Sequence, residues 1–135
     1  MTTQTAKYGI VQHLPNLPFE DAREKVEAAL KAEGFGILTE IDVRETLRQK
    51  LDVEFRPYTI LGACNPQLAY QGLLAEPQLG LLLPCNVLLC AEKSGTTVSV
   101  MDPYAMVKVT ENMDLEDTAL EARQRLKRAL ESLAG

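Results

Sequence analysis

From residue 115 to residue 133, apolar side chains recur at Leu115, Ala119, Ala122, Leu126, Leu130 and Leu133, in steps of four, three, four, four and three. That spacing lays one stripe along a helix. Asp114 and Asp117 stand at its start, and Arg123, Arg125, Lys127 and Arg128 lie toward its C-terminal half, as the helix dipole favours. A second helix is read in "NLPFEDAREKVEAALKAEGFG", where Phe19, Ala22, Val26, Ala29 and Leu30 share a face opposite Glu20, Glu24, Lys25, Glu27 and Lys31. Asn16 or Pro18 opens it and Gly34 closes it. "DVRETLRQKL" reads as a short helix with Asp42 as N-cap and Glu45 three residues on. "NPQLAYQGLLAEP" reads as another, with Asn65 as N-cap and Pro66 at the first position.

Between these helices the pattern changes to strands. Residues 6–11, "AKYGIV", form a first short one. "FGILTEIDV" follows, with Phe35, Ile37, Thr39 and Ile41 assigned to one side. "EFRPYTILGAC" is a third, with Pro57 placed at an edge or a bulge because it has no N–H for a ladder. "CNVLLCAEK" and "TTVSVMD" are two more, joined through Ser94-Gly95 as a hairpin. The former is apolar on both faces and belongs at the centre; the latter alternates Val98 and Val100 with Thr97 and Ser99. The order is strand, helix, strand, short helix, strand, helix, strand, strand, helix. It predicts an α+β two-layer sandwich: a mixed β-sheet of about five strands with helices packed on one face. The uncovered face calls for a partner, and a homodimer supplies one.

The length, 135 residues, suits a single domain over 1–135 with a core of its own. The net charge of −5 argues against nucleic acid, whose phosphates need a basic stripe. The apolar run from Leu79 to Ala91 contains Pro84 and Asn86 and is too short to span a bilayer. The first residues carry no basic start followed by an apolar stretch, so no secretory leader is expected. Three cysteines make no disulfide framework, and a reducing cytoplasm is the expected location.

The candidate chemistry lies at element ends. Cys64-Asn65-Pro66 stands where a strand passes into a helix, a placement that favours a thiolate. A buried small residue followed by a helix cap explains it as well. Pro84-Cys85-Asn86 is the matching pair. Cys90, five positions after Cys85, points to the opposite face of an extended strand and is assigned to the core. The cysteines lack the paired spacing of a zinc site, so no metal is expected, and nothing in the sequence calls for a cofactor. His13, the one histidine, reads as a surface or cap residue, with no context marking it as base to a Cys or Ser. Glu40 and Asp42 could share one side of a strand as paired carboxylates, although a solvated strand end accounts for them. "MDPYAMV" ends the last strand in an Asp102-Pro103 turn, with Met101, Tyr104 and Met106 close by.

The segments "GFGILTEIDVRETL", "RPYTILGACNPQLAYQGL", "EPQLGLLLPCNVLL" and "VSVMDPYAM" resemble the domain of unknown function 302 family of small bacterial and archaeal proteins. The resemblance runs from about Tyr8 to Met106. It implies a compact α+β fold, often a dimer, and carries over no activity and no catalytic residues. The leading expectation is a small-ligand-binding or interaction module with Cys64, Asn65, Cys85, Asn86 and Asp102 at its site. The alternative is a thiol-based redox or sulfur-handling protein using Cys64 with Cys85.

Overall fold

The computed structural model describes residues 7–134. Five strands form one sheet: β1 (Gly9–Pro15), β2 (Gly36–Asp42), β3 (Tyr58–Cys64), β4 (Cys85–Glu92) and β5 (Gly95–Met101), in the order β1-β5-β4-β3-β2. The helices are α1 (Phe19–Ala32), α2 (Val43–Leu51), α3 (Pro66–Ala75), α4 (Tyr104–Thr110) and α5 (Glu116–Ala134), with 3-10 turns over Pro77–Leu81 and Met113–Leu115. The α+β architecture and the central place of β4 are as the pattern predicts.

The sheet is antiparallel at every pairing, which corrects the expected mixed sheet. The connections explain it. β1 and β2 run in the same direction, but the α1 crossover carries the chain from one edge of the sheet to the other, so they never pair. Each later connection returns to an adjacent strand.

Register sorts the side chains into rows. On one face Glu40, Leu61, Val87, Val100 and Ile10 lie in line, and Leu89 and Val98 continue the apolar surface. Onto this face α1 brings Ala22, Val26 and Leu30, and α5 brings Ala122, Leu126, Ala129 and Leu130. Leu30, Leu61, Leu89 and Leu126 are fully buried, each contributing about 1.5–3 kcal/mol of transfer free energy. The opposite face carries a different row: Ile41, Ile60, Leu88, Ser99 and Val11. Ile60 and Leu88 are half-buried there and Ile41 is exposed.

Four boundaries differ from expectation. β1 starts at Gly9, after a turn at Lys7 and Tyr8, and runs on to Pro15; Ala6 lies outside the described residues. Phe35, Ile37, Thr39 and Ile41 do not share a side. Ile37 opposes Ala63 and Thr39 opposes Gly62, so Leu38 is an extra residue and the strand changes face there. The hairpin turn is Lys93-Ser94, since Glu92 pairs with Gly95. Asp102-Pro103 opens α4 rather than a plain turn: the Asp102 carboxylate accepts from the Tyr104 N–H at 2.9 Å. Pro57 precedes the first residue of β3, where its missing N–H costs nothing; its carbonyl accepts from Ala91. Among the described residues no helix is long and apolar enough to cross a membrane.

Candidate functional site

β3 ends at Cys64 and the chain turns into α3 through Asn65. The Asn65 side-chain oxygen accepts from the Leu68 N–H at 3.1 Å, and Pro66 occupies the first helical position. Asn65 is buried, and its amide lies against Gly34, the residue that ends α1 with φ +87°. A Cβ at Gly34 would stand 2.8 Å from Asn65 Nδ2, so glycine is required there for both its conformation and its size. Next in the sheet, Cys85 opens β4 after a cis Leu83-Pro84 bond and lies opposite Ala63. Cys64 is the next residue after that partner. Strand geometry sets the Cys64 and Cys85 Cα atoms about 6 Å apart. The two strand ends meet.

They meet at a cavity, lined by Ala63, Cys64, Asn65 and Cys85 from the strand ends, by Leu68 and Gly72 from α3, by Leu79 and Leu83, and by Met106, Leu115 and Ala119. Its internal volume is about 40 Å³, and it opens to solvent. It sits between the main core and a smaller cluster of Leu79, Cys85, Met106, Val107, Leu115 and Ala119. Gly72 keeps it open: a Cβ there would lie 2.6 Å from Leu79 Cδ2.

The chemistry of this cavity is that of an almost wholly apolar pocket. Burial pushes the Cys85 thiol up to about 11, and the neighbouring Cys64 adds to the effect. Cys85 therefore holds its proton at neutral pH, which disfavours it as nucleophile or metal ligand. Cys90 lies on the other face, in the row with Tyr58 and Thr97, as alternation predicts. Burial raises its thiol as well, opposed by the Arg56 charge. Among the described residues no three His, Cys, Asp or Glu side chains are grouped to hold a metal ion.

The remaining predicted residues go elsewhere. Asn86 is exposed and opposes Gly62 on the opposite face. Asp102 stands with Tyr8, Tyr104 and Lys108 around a separate depression. Its carboxylate caps α4 and lies 3.1 Å from Arg123 Nε, a buried atom that forms an ion pair without hydrogen-bond alignment. Glu40 and Asp42 do share a side, but each has a structural partner. Glu40 accepts from Arg23, which holds its carboxyl below the usual range, and Asp42 accepts from the Glu45 N–H to cap α2.

His13 is the residue that sequence reasoning misjudged. It is not a free surface group: its ring lies 3.1 Å from Ser94 Oγ, 3.2 Å from Thr97 Oγ1 and 3.4 Å from Glu92 Oε2. The pairing of β1 with β5, which sets His13 opposite Thr97, creates this cluster. Alternation alone would place Glu92 and Thr97 on one face, but nothing local marks their partner.

The family model described as "Domain of unknown function DUF302" matches residues 10–133. A solved structure described as an uncharacterized conserved protein DUF302 from Bacillus stearothermophilus matches with a TM-score of 0.86 and 28% identity, covering 96% of this chain and 100% of that chain. No curated protein matches. The chain belongs to the DUF302 family.

Proposed function

We propose that this DUF302 domain, a single domain over 1–135, is a small-ligand-binding module whose site is the cavity at the junction of β3, β4, α3 and α5. The observation that carries the reading is the lining itself: apolar side chains almost throughout, with Cys64, Asn65 and Thr118 as its few polar groups. The internal 40 Å³ sets the ligand size. One water needs about 10–15 Å³ on this measure, so the space takes a compact apolar group of a few carbons, with any larger part toward solvent. Asn86 and Asp102, which stand apart, are left out of the site. The test is a titration with xenon followed by amide resonances. Saturable shifts at Gly72, Leu115 and Ala119, abolished by Ala119→Leu, are expected; no saturable shift removes the reading.

A second reading uses the same corner. Cys64 and Cys85 are backbone neighbours with free thiols, one register step apart, so a mild oxidant joins them if the last residue of β3 turns toward the cavity. Mass spectrometry after diamide treatment would find a Cys64–Cys85 disulfide; recovery of two free thiols would reject it. The free thiols also fit a reducing compartment such as the cytoplasm. Homodimerisation through the uncovered sheet face completes the proposal, supported by the Ile41–Ile60–Leu88 row and the exposed Leu51, Val53 and Phe55. Sedimentation should give twice the chain mass, and Leu88→Arg should return it to one.

A further inference from the structure

The sheet's other end carries a cluster that the cavity reading does not use. Glu92 ends β4, Ser94 lies in the Lys93-Ser94 turn, Thr97 lies on β5, and His13 faces them from β1. Gly95 lets the strands close in. A Cβ there would stand 2.1 Å from the Leu14 carbonyl oxygen, so only glycine lets β1 approach the turn. The Asn16 N–H then donates to the Ser94 carbonyl at 2.7 Å, fixing the Ser94 backbone beside the imidazole.

With Glu92 ionised and the ring neutral, hydrogen-bond direction selects the tautomer. An ionised Glu92 carboxylate only accepts, so the Thr97 hydroxyl donates its single proton to Glu92 Oε2. His13 Nδ1, which faces both Thr97 Oγ1 and Glu92 Oε2, must then be the N–H donor. In the neutral ring that leaves Nε2 with a bare lone pair, 3.1 Å from Ser94 Oγ. The hydroxyl then points its proton at a base whose Nδ1–H faces Thr97 Oγ1, which in turn donates to the Glu92 carboxylate. Exposure grades the same way: the Glu92 side chain is 8% exposed and that of His13 is 22%. The orienting acid is withdrawn and the base is reached from solvent.

We infer that Ser94, His13 and Glu92 form a nucleophile–base–orienter triad that cleaves carboxylic esters, with Thr97 as a positioning residue. The logic is that of any activated serine. Ser94 Oγ attacks the ester carbonyl carbon while its proton passes to His13 Nε2. The bond from carbon to the alkoxide oxygen breaks, and Nε2 returns the proton to that oxygen, releasing the alcohol and leaving acyl-Ser94. Water then attacks the acyl carbon, gives its proton to Nε2, and Oγ departs with that proton, releasing the acid. No electron is gained or lost overall.

The test is independent of the cavity. The full chain is incubated with a fluorophosphonate probe and with p-nitrophenyl butyrate. The expected result is one phosphonyl adduct, on Ser94, and ester hydrolysis lost in Ser94→Ala. His13→Gln should lower both rates by about 10²-fold or more. Glu92→Gln, which keeps the shape, should lower them by at least about tenfold. Circular dichroism melts show whether each variant is folded; should His13→Gln unfold, Glu92→Gln decides. A purely structural cluster would shift the melts while Ser94 stayed unlabelled. An absence of adduct on Ser94, or labelling unchanged in the folded variants, overturns the proposal.

Discussion

β4 joins two corners that obey different rules. At Cys85 the surroundings are apolar, and fit is decided by volume. At Glu92 the surroundings are polar, and fit is decided by whether each donor finds its acceptor. The same strand serves both because its alternation is interrupted at neither end: Cys85, Val87 and Leu89 face α1 and α5, while Leu88, Cys90 and Glu92 face away. A corner held by volume should be harmed most by added atoms, and a corner held by hydrogen bonds by isosteric changes that remove a partner.

The largest expected effect is at the Cys85 end of the sheet, on the face away from the cavity, where Gly62 opposes Asn86. A Cβ at Gly62 would stand 2.2 Å from Thr39 Oγ1 and 2.7 Å from Pro84 Cγ, and a proline ring cannot swing aside. Gly62→Val is expected to cost about 3 kcal/mol, at the upper end of overpacking. A urea midpoint indistinguishable from the parent would show that this corner is not size-limited.

Second comes alkaline stability. In the fold Cys85 titrates at about 11, above its ordinary 9.0. Below pH 9 both the folded and the unfolded chain keep the proton. As pH rises from 9 toward 11 the unfolded chain loses it first, so folding stability falls by about 2–3 kcal/mol. Cys85→Ala should remove that part of the slope, measured as the difference between the two proteins' urea midpoints at each pH. Equal slopes would mean the thiol is not desolvated.

Third is the cap. Asn65→Ala removes the acceptor for the Leu68 N–H and should cost about 1 kcal/mol, with Asn65→Asp retaining much of it. Equal losses in the two variants would assign the role to packing against Gly34 instead.

These corners also differ in how far they could be read in advance. The Cys64-Asn65-Pro66 signal is local: a strand end, a cap and a proline at its first position, so its geometry follows from neighbours in sequence. That Cys85 meets it depends only on β3 and β4 being adjacent. His13 and Thr97 are brought together by an edge pairing between segments 84 residues apart. No periodicity encodes that, so the polar cluster stayed hidden behind an unremarkable histidine. The bulge at Leu38 was illegible for a related reason, since an extra residue is defined only against its partner strand. The α4 helix was missed because an Asp-Pro pair signals a turn and a helix start alike, and seven residues add too little periodicity to choose.

The smallest expected effect is a null one, and it probes the comparison most directly. Cys85 and Glu92 are the two ends of β4, about 23 Å apart on an extended strand. They share no partner: Cys85 packs with Leu79, Met106 and Leu115, whereas Glu92 accepts from Thr97 and lies 3.4 Å from the His13 ring. The stability losses of Cys85→Ala and Glu92→Gln should therefore add in the double variant to within about 0.5 kcal/mol. Glu92→Gln with His13→Gln should not add, because each removes the other's partner, and a coupling of about 1 kcal/mol is expected. Coupling between Cys85 and Glu92 as large as that between Glu92 and His13 would show that β4 transmits strain from one end to the other. Filling the cavity would then alter the triad. Additivity would make them two independent sites on one strand, each open to assay without disturbing the other.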